Sequence, residues 1–355
     1  MKSLNLLVAC TLLSTYTNAF ADFTYQETTQ ITGGSVVSMM KMAGTFSKTA
    51  RQAGDPVIST VTIKGNRMMR VNKDSTEIID LDAGTITIID NIKKQYTVMT
   101  FEQMRQQMDA AMAKAKAQQA KQPPQPANNN DAQNVDIKFD VKVRNTSATR
   151  DVAGLSAKES ILTMTVDATD RQSGQTGSLA ITNDMYLAPD IPGYEEVRDF
   201  YKRYAMKMGT VMSGAMNAQI MALMQQPSAG KGMAEMVEEM AKLKGIPVLQ
   251  IMRMGTTVDG IPLPAASEAP LPAGPPPPTA GSVAKSAVMS SLPFGGFGRK
   301  KKQDDPPPAD SSAQPGAAVL VESTTQLTSF SSAVVDGSQF NLPAGYKKVD
   351  FKQID

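Results

Sequence analysis

The chain has 355 residues, with 36 basic and 34 acidic side chains, a single cysteine (Cys10), and neither histidine nor tryptophan. From that alphabet no Ser-His-Asp or Cys-His nucleophile can be assembled, and no thiolate or imidazole zinc site or disulfide framework. The near-balanced charge gives no electrostatic footprint for nucleic acid or an anionic membrane surface, so no nucleic-acid partner is expected.

Residues 1–21 read as a secretory signal peptide. Lys2 is followed by the apolar run Leu4, Leu6, Leu7, Val8, Ala9, Cys10, Leu12 and Leu13, and Ala19-Phe20-Ala21 places small residues where a signal peptidase reads them. The expected product is an exported chain, periplasmic or extracellular, cleaved after Ala21. Leu7-Val8-Ala9-Cys10 also resembles a bacterial lipoprotein cleavage box, which makes a lipid anchor on Cys10 the alternative. No later stretch reaches the ~18 consecutive apolar residues of a membrane span.

A regular β signal follows. Thr28-Thr29-Gln30-Ile31-Thr32 reads as a strand and is echoed by Thr324-Thr325-Gln326-Leu327-Thr328, as neighbouring positions in one sheet would be. A helix is expected over 36–50. Val57, Ser59, Val61 and Ile63 alternate with Ile58, Thr60, Thr62 and Lys64, and Gly65-Asn66 offers a tight turn into Met69 and Val71. Strands at 78–81, 85–89 and 96–99, separated by Asp82-Ala83-Gly84 and Asp90-Asn91, complete an antiparallel meander. Further strands are expected at 137–143, 160–166, 179–187, 247–254, 318–327 and 346–351.

Three helices interrupt the strands. Thr100 and Gln103 form a capping box ahead of the stripe Phe101, Met104, Met108, Ala111 and Met112. Pro192-Gly193 opens a second helix with Val197, Phe200, Tyr204, Met208, Val211 and Ala215 on one face, weakened at Gly209 and Gly214. A third ends at Lys242-Leu243-Lys244-Gly245, with Pro247 beyond. Two stretches read as solvated chain: a flexible loop at 118–134 and a Pro/Gly-rich linker at 259–316, whose composition buries too little to offset its ordering entropy.

Methionine is the feature most open to a functional reading. Of 24 methionines, 11 fall between Met206 and Met254. Met206, Met208, Met212, Met216, Met221, Met224, Met233, Met236 and Met240 form the candidate wall of an apolar cavity, because flexible thioethers repack around different hydrophobic ligands. The plainer alternative is a core stripe at helical spacing. Copper(I) also favours thioethers, and Met221 with Met224, or Met68 with Met69, are the pairs to inspect. No cofactor or metal is expected. The adjacent carboxylates Asp80 and Asp82, Glu195 and Glu196, Glu238 and Glu239 do not converge as an acid/base pair, so no catalytic residues and no enzymatic activity are expected.

The stretch 59–68 (STVTIKGNRM), together with Ile78-Ile79-Asp80-Leu81-Asp82, Lys93-Lys94-Gln95-Tyr96-Thr97-Val98-Met99, Val152-Ala153-Gly154-Leu155, Ile161-Leu162-Thr163-Met164 and Leu342-Pro343-Ala344-Gly345-Tyr346, resembles an uncharacterised family of bacterial exported proteins similar in fold to the lipoprotein carriers LolA and LolB. The resemblance implies an α+β fold: a curved antiparallel half-barrel at 22–258, covered by two to four helices, with C-terminal strands at 317–355 completing the sheet. It brings no catalytic residues. The expected function is binding of a lipid-like or other hydrophobic ligand in that half-barrel. The alternatives are a ligand-free interaction module of the envelope, recruiting a protein partner through its Pro-rich segment, or a Met-rich copper(I) protein.

Overall fold

The computed structural model describes residues 22–37, 54–121, 135–170, 176–213, 227–257, 260–271 and 318–350. Residues 1–21, read above as a signal peptide and including Cys10, the Pro/Gly-rich residues 272–316 and nearly all of the helix expected over 36–50 lie outside the described residues.

Twelve strands build one sheet: β1 (Phe23–Gly33), β2 (Val57–Lys64), β3 (Arg67–Val71), β4 (Ser75–Asp80), β5 (Thr85–Asp90), β6 (Gln95–Thr100), β7 (Val135–Val152), β8 (Leu155–Asp170), β9 (Thr176–Ala188), β10 (Ile246–Thr257), β11 (Ala318–Ser331) and β12 (Lys347–Lys348). Their order is β12-β6-β5-β4-β3-β2-β1-β11-β10-β9-β8-β7. Every pairing is antiparallel except that of β12 along β6. The sheet is curved and does not close. At one end β7 also approaches β11 across the three strands between them, so that end rolls over on itself.

Local chemistry sets the meander. Gly65, at φ +55°, and Asn66 make the two-residue turn between β2 and β3, a conformation open to glycine at no steric cost. The next two turns share one device. The Asp80 carboxylate accepts the backbone N–H groups of Asp82 and Ala83, and Asp90 does the same for Ile92 and Lys93. Asp80 is therefore a turn residue.

The repeated Thr-Thr-Gln is explained by pairing. Thr28, Thr29 and Gln30 of β1 stand opposite Gln326, Thr325 and Thr324 of β11, a locally two-fold register centred on the Thr29–Thr325 hydroxyl contact at 3.2 Å. These strands lie mid-sheet and join its two halves.

Three long helices accompany the sheet among the described residues: α1 (Phe101–Lys121), α2 (Glu195–Ser213) and α3 (Pro227–Met240). The capping box of α1 is formed in both directions, Gln103 N–H to Thr100 Oγ1 at 3.0 Å and Thr100 N–H to Gln103 Oε1 at 2.9 Å. α1 runs through 118–121, the start of the stretch read as a loop; the rest of that loop lies outside the described residues. α2 lays Val197, Phe200 and Val211 on a core of Phe23, Tyr25, Val61, Ile63, Met68, Ile79 and Leu81. Gly193, at φ +88°, lets the Phe23 ring approach where a Cβ would meet it at 3.2 Å. α3 packs on β7, with Gly232 against Phe139 and the Glu239 carboxylate accepting the Val143 N–H at 2.9 Å. That bond occupies one of the backbone donors that an outer strand otherwise offers to other chains.

Alternation divides the sheet into a helix face and an opposite face. Over β3–β5 the opposite face is covered by the C-terminal stretch: Val335 and Phe340 pack on Ile78 and Ile89, and the Arg67 guanidinium lies 4.8 Å from the Phe340 ring centroid. Over β8–β11 it is covered by a strap, residues 260–271. This corrects the linker expectation for 259–316, because the stretch begins as packed chain. Leu263 and Ala265 are buried, and the strap's backbone oxygens find donors on the sheet: Thr182 Oγ1 to Leu263 O at 2.6 Å, and Arg253 Nη1 to Pro264 O and Ala265 O at 3.0 and 3.1 Å. A proline-rich segment has few N–H groups to satisfy, and those of Gly260 and Ser267 donate to Ser178 Oγ and Asp184 Oδ2 on the sheet.

Candidate ligand-binding face

The half-sheet β7–β11 has its polarity inverted. On the strap side Thr182, Asp184, Arg253 and Glu159 are 1–3% exposed. On the helix face the alternating partners are apolar and half-exposed. Register aligns them in a ladder across five strands: Val141 opposite Met164, Met164 opposite Ile181, Ile181 opposite Met254, and Met254 opposite Val321. At ~4.8 Å per strand that row spans roughly 19 Å. One row to either side come Phe139, Val166 and Leu179, and Val143, Leu162, Asn183 and Met252. Leu179 and Met252 are 38% and 39% exposed, and Leu162, Met164, Ile181, Met254 and Val321 are half-buried. α2 covers the β1–β2 side of this face and α3 the β7 side, so among the described residues an apolar floor lies between two helical walls.

Charge is segregated in the same way. Along β7 from Ile137 to Asn145, and over the residues paired with it across β8–β11, every charged side chain stands on the strap side: Lys138, Asp140, Lys142, Arg144, Asp167, Asp184, Arg253 and Glu322. The charged positions fall on one side of the pleat, with Thr163, Thr165, Thr182, Ile161 and Ile251 beside them, and the other side carries mostly Leu, Ile, Val and Met.

The buried polar groups of the strap side form two clusters. Arg253 Nε meets Glu322 Oε2 at 2.8 Å, and Thr32 Oγ1 donates to the other Glu322 oxygen at 2.7 Å. Beside them, Glu159 and Asp184 face each other. Asp184 Oδ2 accepts the Ser267 N–H of the strap at 3.0 Å, while Glu159 accepts from Tyr186 Oη at 3.2 Å and from Thr146 Oγ1. Burial, then the Glu159 charge, pushes the Asp184 carboxyl above its ordinary value. Burial works on Glu159 in the same sense, but hydrogen bonds from Thr146, Ser267, Tyr186 and Asp184 outweigh it and hold Glu159 below its ordinary value. Asp184 Oδ1 is buried with no hydrogen-bond partner.

Of the methionines singled out from the sequence, Met206, Met208, Met236 and Met240 have described side chains. Met208 packs at the margin of the α2 core, Met236 of α3 is half-buried at the other side of the sheet, and Met206 and Met240 are exposed at 59% and 47%. Met212 and Met233 belong to α2 and α3, and Met216, Met221 and Met224 lie outside the described residues. Met68 and Met69 point to opposite faces, Met68 into the α2 core and Met69 against Ile78 and Phe340, so they do not form a joint thioether site. Among the described residues no cluster of carboxylates could hold a metal ion, and no helix is long and apolar enough to cross a membrane. Glu195 is exposed and Glu196 buried, and Glu239 serves Val143 and Lys242, so these pairs diverge as expected. A separate cleft of about 390 Å³ lies between β6, α1 and 348–350, lined by Gln103, Gln106 and Gln107.

Sequence reasoning missed the strand methionines Met164, Met252 and Met254, Asn183 among them, and the buried ions beneath. The signal was present in the alternation itself, where Thr182, Asp184, Arg253 and Glu322 occupy every second place.

No protein family matches the chain, and no curated protein does.

Proposed function

We propose that this is a non-enzymatic protein of the bacterial envelope, exported after cleavage behind Ala21, which binds a lipid-like or other hydrophobic ligand on the helix face of a LolA-like open half-barrel. The single observation that carries the reading is the inverted half-sheet. Glu159, Asp184, Arg253 and Glu322 are buried on the strap side, while Leu162, Met164, Leu179, Ile181, Met252 and Met254 stay half-exposed in register on the other. Monomeric proteins rarely leave a contiguous apolar patch of this kind without a use for it. Three of these side chains are methionines, which adapt to ligands of varied shape.

The test is uptake of the uncharged fluorophore phenylnaphthylamine by the mature chain, beside native mass spectrometry after mild purification. Saturable fluorescence enhancement, lost in Met254→Glu while thermal unfolding stays cooperative, is the expected result. Absence of uptake together with a concentration-dependent dimer in light scattering would replace the reading with a self-association surface.

A further inference from the structure

Resting on that ligand reading, we propose that the face selects an uncharged acyl lipid whose head donates hydrogen bonds, an acylglycerol, and that Asn183 determines this preference. A charged head taken onto this floor would leave water without finding a counter-ion. Across the paired rows from Ile137 to Asn145 the described helix-face side chains include neither a cation nor an anion. Burying an uncompensated carboxylate or phosphate is strongly unfavourable. Charges bordering those rows are Glu239 of α3, engaged with the Val143 N–H and Lys242, Lys158, which is exposed, and Glu27, which is engaged with Arg70.

The polar groups that do lie on this face are neutral, with Thr256 opposite Leu179 at one side of the apolar rows and a larger group at the other. Asn183 stands in the row between Leu162 and Met252, and the next row holds Ser160, Gln250 and Thr325. The Asn183 Nδ2 donates to Gln250 Oε1 at 3.2 Å, and its Oδ1 is buried with no donor. An acceptor held away from water without a partner is an energetic fault in isolation and a recognition element when a ligand supplies the donor. A glycerol hydroxyl does so, whereas an ionised carboxylate or a doubly charged phosphate adds only acceptors. Met252, partly exposed beside Asn183, is the flexible side chain that moves to admit the head.

The experiment is displacement of phenylnaphthylamine from the mature chain by monooleoylglycerol, oleate and an oleoyl lysophosphatidate whose sn-2 hydroxyl is methylated so that its head has no donor, three probes with one acyl chain and different heads, at mildly alkaline pH and below their aggregation thresholds. Monooleoylglycerol is expected to displace at concentrations about ten-fold lower than either anion, a ratio typical of one satisfied polar contact. Asn183→Leu should reduce that lead to about two-fold, with displacement referred to each variant's own fluorophore affinity, and Asn183→Ser supplies the same comparison if the leucine variant does not fold. Equal displacement by oleate or lysophosphatidate, or an unchanged lead in both variants, overturns the selectivity and leaves the ligand reading standing. Failure of the wild-type chain to take up the fluorophore ends both.

Discussion

The two halves of this sheet use the same alternation to opposite ends. In β2–β6 both faces are apolar and both are covered: Ile63, Met68 and Ile79 lie under α2, and Ile78 and Ile89 lie under Val335 and Phe340. In β7–β11 only one face is apolar, and the covered face is the other one, where Arg253, Glu322, Glu159 and Asp184 are sealed beneath the strap. Hydrophobic burial accounts for the first half without further help. The second half is held on its covered side by charge-assisted hydrogen bonds, which are costly to bury and specific in geometry. The comparison teaches that alternation marks two faces without saying which one is core: in β7–β11 the apolar face is left half-open, while the polar face is closed where the strap crosses it.

The sharpest way to break the comparison is to truncate one apolar side chain in each half. Phe200 is wholly buried between α2 and the β1–β2 core. Phe200→Ala should cost about 3–5 kcal/mol in denaturant unfolding, the transfer and cavity loss of a buried aromatic. Leu179→Ala on the ladder should cost no more than about 1 kcal/mol, because its surface is already partly in water. Comparable losses would mean that the ladder is core after all.

Next in size is the ion pair under the strap. Glu322→Ala leaves the Arg253 guanidinium buried with only the Pro264 and Ala265 carbonyls as acceptors. A loss of roughly 3 kcal/mol is expected, since removing one partner exposes the desolvation cost of the other. Limited proteolysis should then cut within 260–271. A variant as stable as the parent would show that the strap holds without the pair.

Much of this was legible before the fold. Strand positions, the turns at Gly65-Asn66 and after Asp80, the capping box of α1 and the core stripe Val197, Phe200 and Val211 all follow from local chemistry, and local chemistry survives folding. The strap did not, because Ile261-Pro262-Leu263-Pro264 has the composition of solvated chain. Only Arg253 and Thr182, which meet it across the sheet, show that its carbonyls have partners. The strand methionines of the half-open floor went unnoticed for a related reason. Helical spacing draws the eye to Met206–Met240, whereas Met164, Met252 and Met254 come together only through strand pairing, which no single strand encodes.

A smaller effect is expected at Asp184, and its sign is fixed by the pair. A carboxyl whose folded-state value is raised contributes stability below its ordinary value of 3.8 and loses it as pH climbs through the raised one. Glu159 acts oppositely, its contribution being present above 4.5 and lost as pH falls through its lowered folded-state value. Asp184→Asn keeps the Ser267 acceptor and removes the titration. Melting temperature followed from acid to neutral pH should therefore fall less on the alkaline side in the variant than in the parent, while the acid-side loss set by Glu159 remains. Parallel profiles on the alkaline side would place the titrating group elsewhere.

The smallest effect tests the joint between the halves. Thr29 and Thr325 meet hydroxyl to hydroxyl at the centre of the two-fold Thr-Thr-Gln register. Thr325→Val keeps the β-branched shape and removes one hydroxyl, so it should cost only about 0.2–1 kcal/mol, the usual worth of a cross-strand pair. The same β-branched shape preserves strand propensity, so any larger loss would have to come from register. Because β1 and β11 are the strands through which the helix-packed half and the strap-covered half are joined, a loss well above that range, together with a second unfolding transition, would show that this contact fixes how the two halves are aligned. A single transition with a small shift would show instead that backbone pairing along β1 and β11 is enough, and that the repeated Thr-Thr-Gln reflects matched neighbours in the sheet more than a point of stability.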